Sequence, residues 1–199
     1  MQRRSQEDRS RATKAALEQA GRRLFAERGF VATSAEELVT EAGVTRGALH
    51  HHYGDKRGLF LEVLEQLEIE NTKEIENAIG AANSDDIIAA MAIGLNVFLE
   101  ICQRPDMIRI GLYDAPAVLG WPAWRELEAR HGLGLIVGVL ERARTAGLIA
   151  DAPIQVLAQL ILSAVTEAGL IVAHATDKDA ARAEAQQSLM LLVAGILKT

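Results

Sequence analysis

The chain has 199 residues, of which 49% are hydrophobic and 24% charged, and this balance is typical of a soluble globular protein. A single cysteine, Cys102, excludes a disulfide framework within the chain and favours a reducing, cytoplasmic setting. Residues 1–60 hold 11 basic and 8 acidic side chains and the remainder holds 10 and 19, so we expect only the first part to meet a polyanion.

Two kinds of targeting segment are not expected. The N-terminal stretch MQRRSQEDRSR is charged and has no apolar core, unlike a secretory signal. Asn96 and Glu100 interrupt one of the two most apolar stretches, and Gln155, Gln159 and Glu167 interrupt the other. Neither stretch contains the roughly 18 uninterrupted apolar residues of a transmembrane helix. We therefore expect no membrane partner.

Alanine, leucine and glutamate dominate the composition, which predicts helices almost throughout. Apolar residues at helical spacing predict a first helix over residues 10–28, which Gly29 ends. Ser34 and Glu37 have the spacing of a capping box and predict the start of a short second helix. Gly43 ends that helix after about two turns.

A third short helix is predicted to begin after Thr45, which can cap it, and to continue through Tyr53. Two short helices around a tight turn that contains Gly43 form a helix-turn-helix. Asp55 is the expected cap of a long fourth helix over residues 56–79.

The rest of the chain is also predicted to be helical. Asn83-Ser84-Asp85 separates elements, and Pro105, Pro116 and Pro122 predict short helices and turns over 105–122. The longer helices are predicted at residues 85–104, 123–146, 153–174 and 178–197. The fold class is therefore all-α with about nine helices and no strands. We expect two domains, a helix-turn-helix domain over 1–55 and a second, helical domain over 56–199.

Three of the five histidines stand together in ALHHHYGDK, which raises the question of a metal site. Adjacent helical residues point about 100° apart, and only positions three or four apart converge. His50, His51 and His52 therefore cannot chelate one ion from a helix, and no cysteine or further histidine lies nearby to complete a site. We expect neither a metal nor another cofactor.

A surface that reads DNA is the better explanation of these histidines. The second helix of a helix-turn-helix lies in the major groove with its N-terminal part at the base edges. Leu49 and Tyr53, four residues apart, are expected to face the core. Arg46 can bond guanine through two hydrogen bonds, and Gly47 permits a close approach of the backbone.

Residues 10–60 resemble the DNA-binding domain of the tetracycline-repressor (TetR) family of bacterial regulators. Thr33-Ser34, the run from Ala42 to Lys56 (AGVTRGALHHHYGDK) and Leu59-Phe60 carry the resemblance. It covers about a quarter of the chain and implies a dimeric all-helical regulator of double-stranded DNA, with repression as the usual outcome. The family usually has tyrosine at the position of His50 and phenylalanine at that of Tyr53.

The resemblance also implies individual contacts with DNA. Phosphate contacts are implied for Thr33, His50, His52 and Lys56. Contacts with base edges are implied for Thr45, Arg46, Gly47 and His51. Because His50 can titrate where the family has tyrosine, DNA binding is expected to depend on pH.

Two further surfaces are predicted in the C-terminal part. A wide apolar face predicts a homodimer through a four-helix bundle, with Leu157, Ile161, Val165, Ala168, Val172, Leu189, Val193 and Ile196 at the interface. A small-molecule effector pocket is predicted from Met91, Phe98, Cys102, Met107, Tyr113, Trp121, Trp124 and His131, with Arg109 and Asp114 among its polar groups. An ordinary helical core is the alternative for each set, and it is the stronger alternative for the pocket residues. The role of the Pro- and Trp-rich segment 114–124, a pocket lid or a partner contact, is left open.

Three other functions stay open at this point. The regulator can act without a small-molecule ligand. A metal-binding protein or an enzyme that uses the histidines is disfavoured, because the chain has no nucleophile elbow, phosphate loop or metal-spaced cluster. A helical scaffold that binds only protein is distinguished by the absence of salt-dependent DNA affinity.

Overall fold

The computed structural model describes residues 6–81 and 86–197. Within these ranges the chain forms ten α-helices and one π-helix, and its one β-type pairing is an antiparallel bridge between Ile149 and Leu197. The α-helices are α1 (Gln6–Ala32), α2 (Ala35–Glu41), α3 (Arg46–Tyr53), α4 (Lys56–Ala81), α5 (Ile87–Ile101), α6 (Ala115–Leu119), α7 (Trp121–His131), α8 (Leu133–Thr145), α9 (Ile154–His174) and α10 (Lys178–Ala194). The all-α prediction is confirmed, with a helix count close to nine.

The polar residues that precede the short helices cap them as their spacing predicts. The Ser34 hydroxyl accepts the N–H of Glu37 at 3.2 Å, and the Glu37 carboxylate accepts the N–H of Ser34 at 2.8 Å. Thr45 accepts a main-chain N–H from the first turn of α3 at 3.2 Å, and Asp55 accepts one from the first turn of α4 at 2.9 Å. Because these bonds satisfy donors that a helix leaves unpaired, local sequence sets where α2, α3 and α4 begin.

Two stretches differ from their predicted helices. Residues 105–122 contain a π-helix, Met107–Asp114, which runs directly into α6. The single helix predicted over 123–146 is wrong, because Gly132 separates α7 from α8. A Cβ at Gly132 would lie 3.3 Å from the Leu162 side chain, so packing of α9 favours glycine at this break. The predicted separator Asn83-Ser84-Asp85 lies outside the described residues.

The chain divides into two compact units. We call residues 6–67 with 105–120 the head, and the described part of 68–104 with 121–197 the body. The division falls within α4, between Leu67 and Glu68, rather than at the expected boundary between 55 and 56. It also assigns the π-helix to the head, because that segment packs against α1.

Aromatic and aliphatic side chains form the core of the head. The rings of Phe25, Phe30 and Phe60 contact one another, with centroids 5.1 to 6.0 Å apart. Leu38 of α2 and Leu49 of α3 are buried. Leu49 is the inward-facing residue of α3, so its burial determines which face of α3 remains exposed.

The body contains two apolar clusters. The first consists of Leu99, Ala168, Val172, Ala185 and Leu189. The second consists of Leu140, Ala143, Ile149, Ile154 and Ala158. Both include residues of α9, which therefore lies at the centre of the packing of the body.

One described helix, α9, is long and apolar enough to cross a membrane by length and composition alone. Its 21 residues include a window with mean hydropathy 2.0, of which 33% is buried. A core helix of a soluble protein passes the same test. The polar interruptions at Gln155, Gln159 and Glu167 lie within this helix.

Candidate nucleic-acid interface

The exposed face of α3 consists of Arg46, Gly47, His50 and His51. These residues are three or four positions apart along the helix and so form one continuous stripe. Arg46 makes no hydrogen bond or ion pair with any residue that the structure describes, which leaves its donors available. A helix of eight residues is about 12 Å long, and the major groove is about 12 Å wide. The stripe therefore has the size and donor chemistry to meet base edges.

The imidazole of His50 turns back toward the end of its own helix. Its Nδ1 lies 2.6 Å from the carbonyl oxygen of Gly54, the residue that ends α3 with φ of 78°. Because a carbonyl only accepts, Nδ1 must carry the hydrogen of this bond. The Nε2 atom is left for an external partner, and it donates only when the ring is protonated.

His51 and His52 complete the histidine run without forming a metal site. Their rings meet edge to face, with centroids 4.9 Å apart. Partial burial, followed by the nearby charges of His51 and Lys14, lowers the pKa of His52 below its usual value. No group of three His, Cys, Asp or Glu side chains converges anywhere within residues 6–81 and 86–197.

The ammonium group of Lys56 is held at the N-terminus of α4. It donates to the carbonyl oxygens of Phe30 at 2.8 Å and Thr33 at 2.7 Å, and it lies 4.2 Å from the centroid of the Phe30 ring. Two of its three N–H donors are used in this way, so one remains, among the described residues, for a phosphate. The helix N-terminus supports an anion at the same place.

Thr33 lies in a different environment from its predicted one. Its side chain is 1% exposed, and its hydroxyl donates to the carbonyl oxygen of Gly29 at 2.8 Å. Burial therefore removes this hydroxyl from the phosphate contact that the resemblance implies. Its neighbour Ser34 is exposed, and its hydroxyl is engaged with Glu37.

Tyr53 replaces the usual phenylalanine and acquires a polar partner. Its hydroxyl donates to the Glu18 carboxylate on α1 at 2.6 Å. Burial, and then this bond to Glu18, raises the pKa of the phenol far above its usual value. The tyrosine therefore ties the last turn of α3 to α1 and supports the orientation of the exposed stripe.

A concavity of about 450 Å³ brings several of the predicted DNA contacts together. Its lining consists of Ala35, Arg46, Gly47, Leu49, His50, Gly54, Asp55 and Lys56. Two cationic side chains and one histidine surround it, against one carboxylate. This balance suits a phosphate group that also accepts a hydrogen bond from a helix N-terminus.

The predicted effector residues are divided between the two units. Met107 and Tyr113 belong to the head, and the other six belong to the body. Within the body, Cys102 and Trp124 are buried, Met91, Phe98 and His131 are half-buried, and Trp121 is 66% exposed. Burial raises the pKa of the Cys102 thiol to about 12, so this cysteine remains neutral.

The predicted dimer residues lie largely inside their own protomer. Ala168, Val172, Leu189 and Val193 are buried, and Leu157, Ile161, Val165 and Ile196 pack against the clusters of the body. The apolar face left exposed is a different one, formed by Val156, Leu160, Ile171, Leu191 and Leu192. Apolar periodicity in α9 and α10 did not distinguish the face that the protomer buries from the face that it leaves exposed.

Two sequence profiles match this chain. One, described as bacterial regulatory proteins of the tetR family, matches residues 17–63. The other, described as a tetracyclin repressor-like C-terminal domain, matches residues 74–196, which is more than half of the chain. The chain belongs to the TetR family of transcriptional regulators. The predicted resemblance is confirmed, and the family is one of DNA-binding regulators rather than enzymes.

Solved structures and curated relatives agree with this assignment. A TetR-family transcriptional regulator from Pectobacterium atrosepticum is 32% identical, with a TM-score of 0.81 over 98% of this chain and 99% of that chain. RolR in complex with resorcinol shares the fold, with 15% identity and a TM-score of 0.70 over 98% of this chain and 99% of that one. The regulator AcrR of Shigella flexneri is 46% identical over 54 residues, which is 27% of this chain and only 25% of AcrR.

Proposed function

We propose that this regulator is a dimeric repressor that binds a palindromic operator with one α3 in each half-site. The proposal depends on the exposed stripe of Arg46, Gly47, His50 and His51. Its side chains can donate hydrogen bonds to base edges, and the lack of a side chain at Gly47 lets the helix backbone approach the bases closely. Lys56 and protonated His50 hold the flanking phosphates, and Thr45 lies at the helix start beside Arg46. His52 and Lys56 are both half-buried, whereas His50 is exposed.

The second copy docks on the exposed apolar face of α9 and α10. Val156, Leu160 and Ile171 follow one another at helical spacing and are 58%, 63% and 53% exposed. Leu191 and Leu192 of α10 are also exposed. Large apolar side chains in such a row are characteristic of an interface between subunits. Two copies that pair through both helices form a four-helix bundle around a two-fold axis.

The effector is proposed to be a small, mostly apolar molecule with a hydroxyl group, bound within the body. Glu128 is half-buried, and burial raises the pKa of its carboxyl group. The buried Thr166 hydroxyl lies 2.9 Å from one of its oxygens, and Arg125 lies 2.7 Å from the other. This set offers polar anchors between α7 and α9, and RolR, of the same fold, binds resorcinol. A coupling of about 1–3 kcal/mol is sufficient to release the operator.

Selection of bound sequences from a random duplex pool tests the operator proposal. Enrichment should yield a palindrome whose affinity falls by orders of magnitude between about 50 and about 200 mM salt. Arg46→Ala and His51→Ala remove exposed side chains and should each relax the sequence preference at one position in a half-site, at a cost of about 1–3 kcal/mol. If the wild type enriches no sequence at either salt concentration, the operator proposal is wrong.

The effector proposal needs a separate measurement. Thermal unfolding and operator binding are followed with and without resorcinol and simple alkylphenols. A ligand that raises the melting temperature and weakens operator binding supports the proposal. If none of these compounds changes either quantity, the ligand class is wrong, and a regulator that acts without a small-molecule effector is favoured.

A further inference from the structure

The end of α1 is interrupted at Gly29, and the interruption frees a main-chain donor. Gly29 has φ of 80° and ψ of 169°, far from helical values. The N–H of the next residue, Phe30, donates instead to the Asp114 carboxylate at 2.6 Å. A main-chain N–H that has lost its helical partner requires another acceptor when it is shielded from water. The Asp114 carboxylate therefore replaces the missing helical hydrogen bond of Phe30. Asp114 comes from the last position of the π-helix, Met107–Asp114.

The same residue, Phe30, also holds the phosphate-binding lysine. Its carbonyl oxygen accepts the Lys56 ammonium at 2.8 Å, and its ring lies 4.2 Å below that ammonium. Phe30 is therefore bonded on its N–H side to Asp114 and on its C=O side to Lys56. The three residues form one continuous polar chain from the π-helix to the concavity that Lys56 lines.

The Asp114 carboxylate is well fixed in this position. The residue is 8% exposed, and the Arg109 guanidinium lies over Gly29 with its Nε 3.5 Å from the same carboxylate oxygen. A buried carboxylate with a charged partner and a main-chain donor has little freedom to move. A second contact joins the same two elements, since Arg22 of α1 donates twice to Asp106, at 2.8 and 3.0 Å. Asp106 has no contact with the Phe30–Lys56 pair among the contacts described.

We propose that Asp114 is a positioning residue for DNA binding, which acts through Phe30 to hold the Lys56 ammonium at the phosphate site. The inference rests on the proposed function, because it requires Lys56 to contact DNA. It gives the π-helix a role in the affinity of the head for DNA, although no residue of the π-helix lines the concavity. Loss of the Asp114 bond releases the Gly29–Phe30 peptide group, and the Phe30 carbonyl, which follows in the next peptide group, is then held less firmly. The Lys56 ammonium keeps its bond to the Thr33 carbonyl but loses a fixed position for its second acceptor.

A double-mutant cycle tests this coupling, with a duplex that the wild type enriches from a random pool as the probe. Asp114→Ala should weaken binding by about 3- to 30-fold when Lys56 is present and by less than about twofold in the Lys56→Met chain, because coupled residues are not additive. Asp114→Ala should also reduce the slope of log affinity against log salt by about one phosphate contact. Asp106→Ala is the matched control, and its effect on DNA affinity should be the same in the chain with Lys56 and in the Lys56→Met chain.

Thermal unfolding of each variant shows whether it folds. Asp114→Asn keeps an oxygen acceptor for the Phe30 N–H and is nearly isosteric, so it should restore most of the affinity that Asp114→Ala loses. If Asp114→Ala does not fold, Asp114→Asn takes its place in the cycle. Its loss of DNA affinity should be smaller and should again require Lys56. If the wild type binds DNA but the effects of the Asp114 and Lys56 substitutions on affinity are additive, the inference is wrong and the proposed function is unaffected. A wild type that binds no duplex overturns the proposed function and, with it, the inference.

Discussion

The Nδ1 atom of His50 donates a hydrogen bond of 2.6 Å to the carbonyl oxygen of Gly54, and this leaves the Nε2 atom of the ring for an external partner. In the neutral ring that Nε2 atom is an acceptor, and so are the phosphate oxygens. Protonation turns Nε2 into a donor and adds a positive charge. The histidine therefore contacts a phosphate favourably in only one of its two protonation states.

DNA affinity is accordingly expected to rise as the His50 ring gains a proton, and a pH series from about 8 to about 6 tests this expectation. Binding of the enriched duplex is measured by fluorescence anisotropy across this range at constant ionic strength. The matched variant is His50→Tyr, which installs the usual residue of the family, and its hydroxyl donates at every pH tested. An equally steep pH profile in His50→Tyr would exclude His50 as the source.

Gly47→Ala is expected to separate folding from DNA binding. A Cβ at this position would lie 3.7 Å from the nearest atom outside its immediate chain neighbours, so the protein accommodates it. Alanine is a better helix former by about 0.8–1.0 kcal/mol, which should raise the melting temperature. DNA affinity should nevertheless fall, because the methyl group occupies the space that the helix needs against the base edges.

Gly138→Ala is the control for that change. Gly138 is an exposed glycine of α8, and a Cβ there would meet nothing within 4 Å. It should raise stability by a similar amount and leave DNA affinity unchanged. If both variants bind DNA as tightly as the wild type does, Gly47 does not face the duplex.

Leu160→Asp is expected to dissociate the dimer. Leu160 is 63% exposed in the protomer, so a charge there costs the monomer little and disrupts an apolar interface strongly. Sedimentation velocity should show a monomer, and operator affinity should fall because one α3 then binds alone. Ile69→Asp places the same charge at another exposed isoleucine, 49% exposed on α4, and should leave the dimer intact. A Leu160→Asp chain that remains dimeric would place the interface elsewhere.

Tyr53→Phe is expected to change how stability depends on alkaline pH. The pKa of Tyr53 in the folded protein lies above its ordinary value of 10.0, mainly because of burial and then because of its bond to Glu18. The phenol therefore ionises at a lower pH in the unfolded chain than in the folded protein. The stability that Tyr53 contributes is complete below about pH 10 and is lost as the pH rises further. The variant should lack this part of the alkaline loss.

At neutral pH, Tyr53→Phe should cost about 1 kcal/mol, because Glu18 loses its hydroxyl partner. Urea unfolding at about pH 8 and about pH 10.5 measures both effects. An alkaline slope identical to that of the wild type would mean that Tyr53 titrates alike in both states.

The local elements of the head and the exposed face of α3 could be predicted from the amino-acid sequence. Ser34, Thr45 and Asp55 are followed within three residues by the main-chain donors that they cap, so each helix start is encoded over a few residues. Leu49 and Tyr53 point inward because of their spacing, which leaves Arg46 and His51 outside. Interactions over such short distances along the chain do not depend on how distant segments pack.

The long-range contacts could not be predicted in this way, because they depend on how distant segments pack. The sequence predicted Asp114 among the polar groups of a ligand pocket, yet its carboxylate accepts a hydrogen bond from the N–H of Phe30, 84 residues away. Apolar periodicity in α9 does not distinguish the face buried in the protomer, with Val172, from the exposed face that contains Leu160. Both faces of α9 are apolar, so which of them is buried depends on which helices pack against α9. Likewise, the Thr33 hydroxyl is buried at the interrupted end of α1, where it donates to the Gly29 carbonyl instead of to solvent.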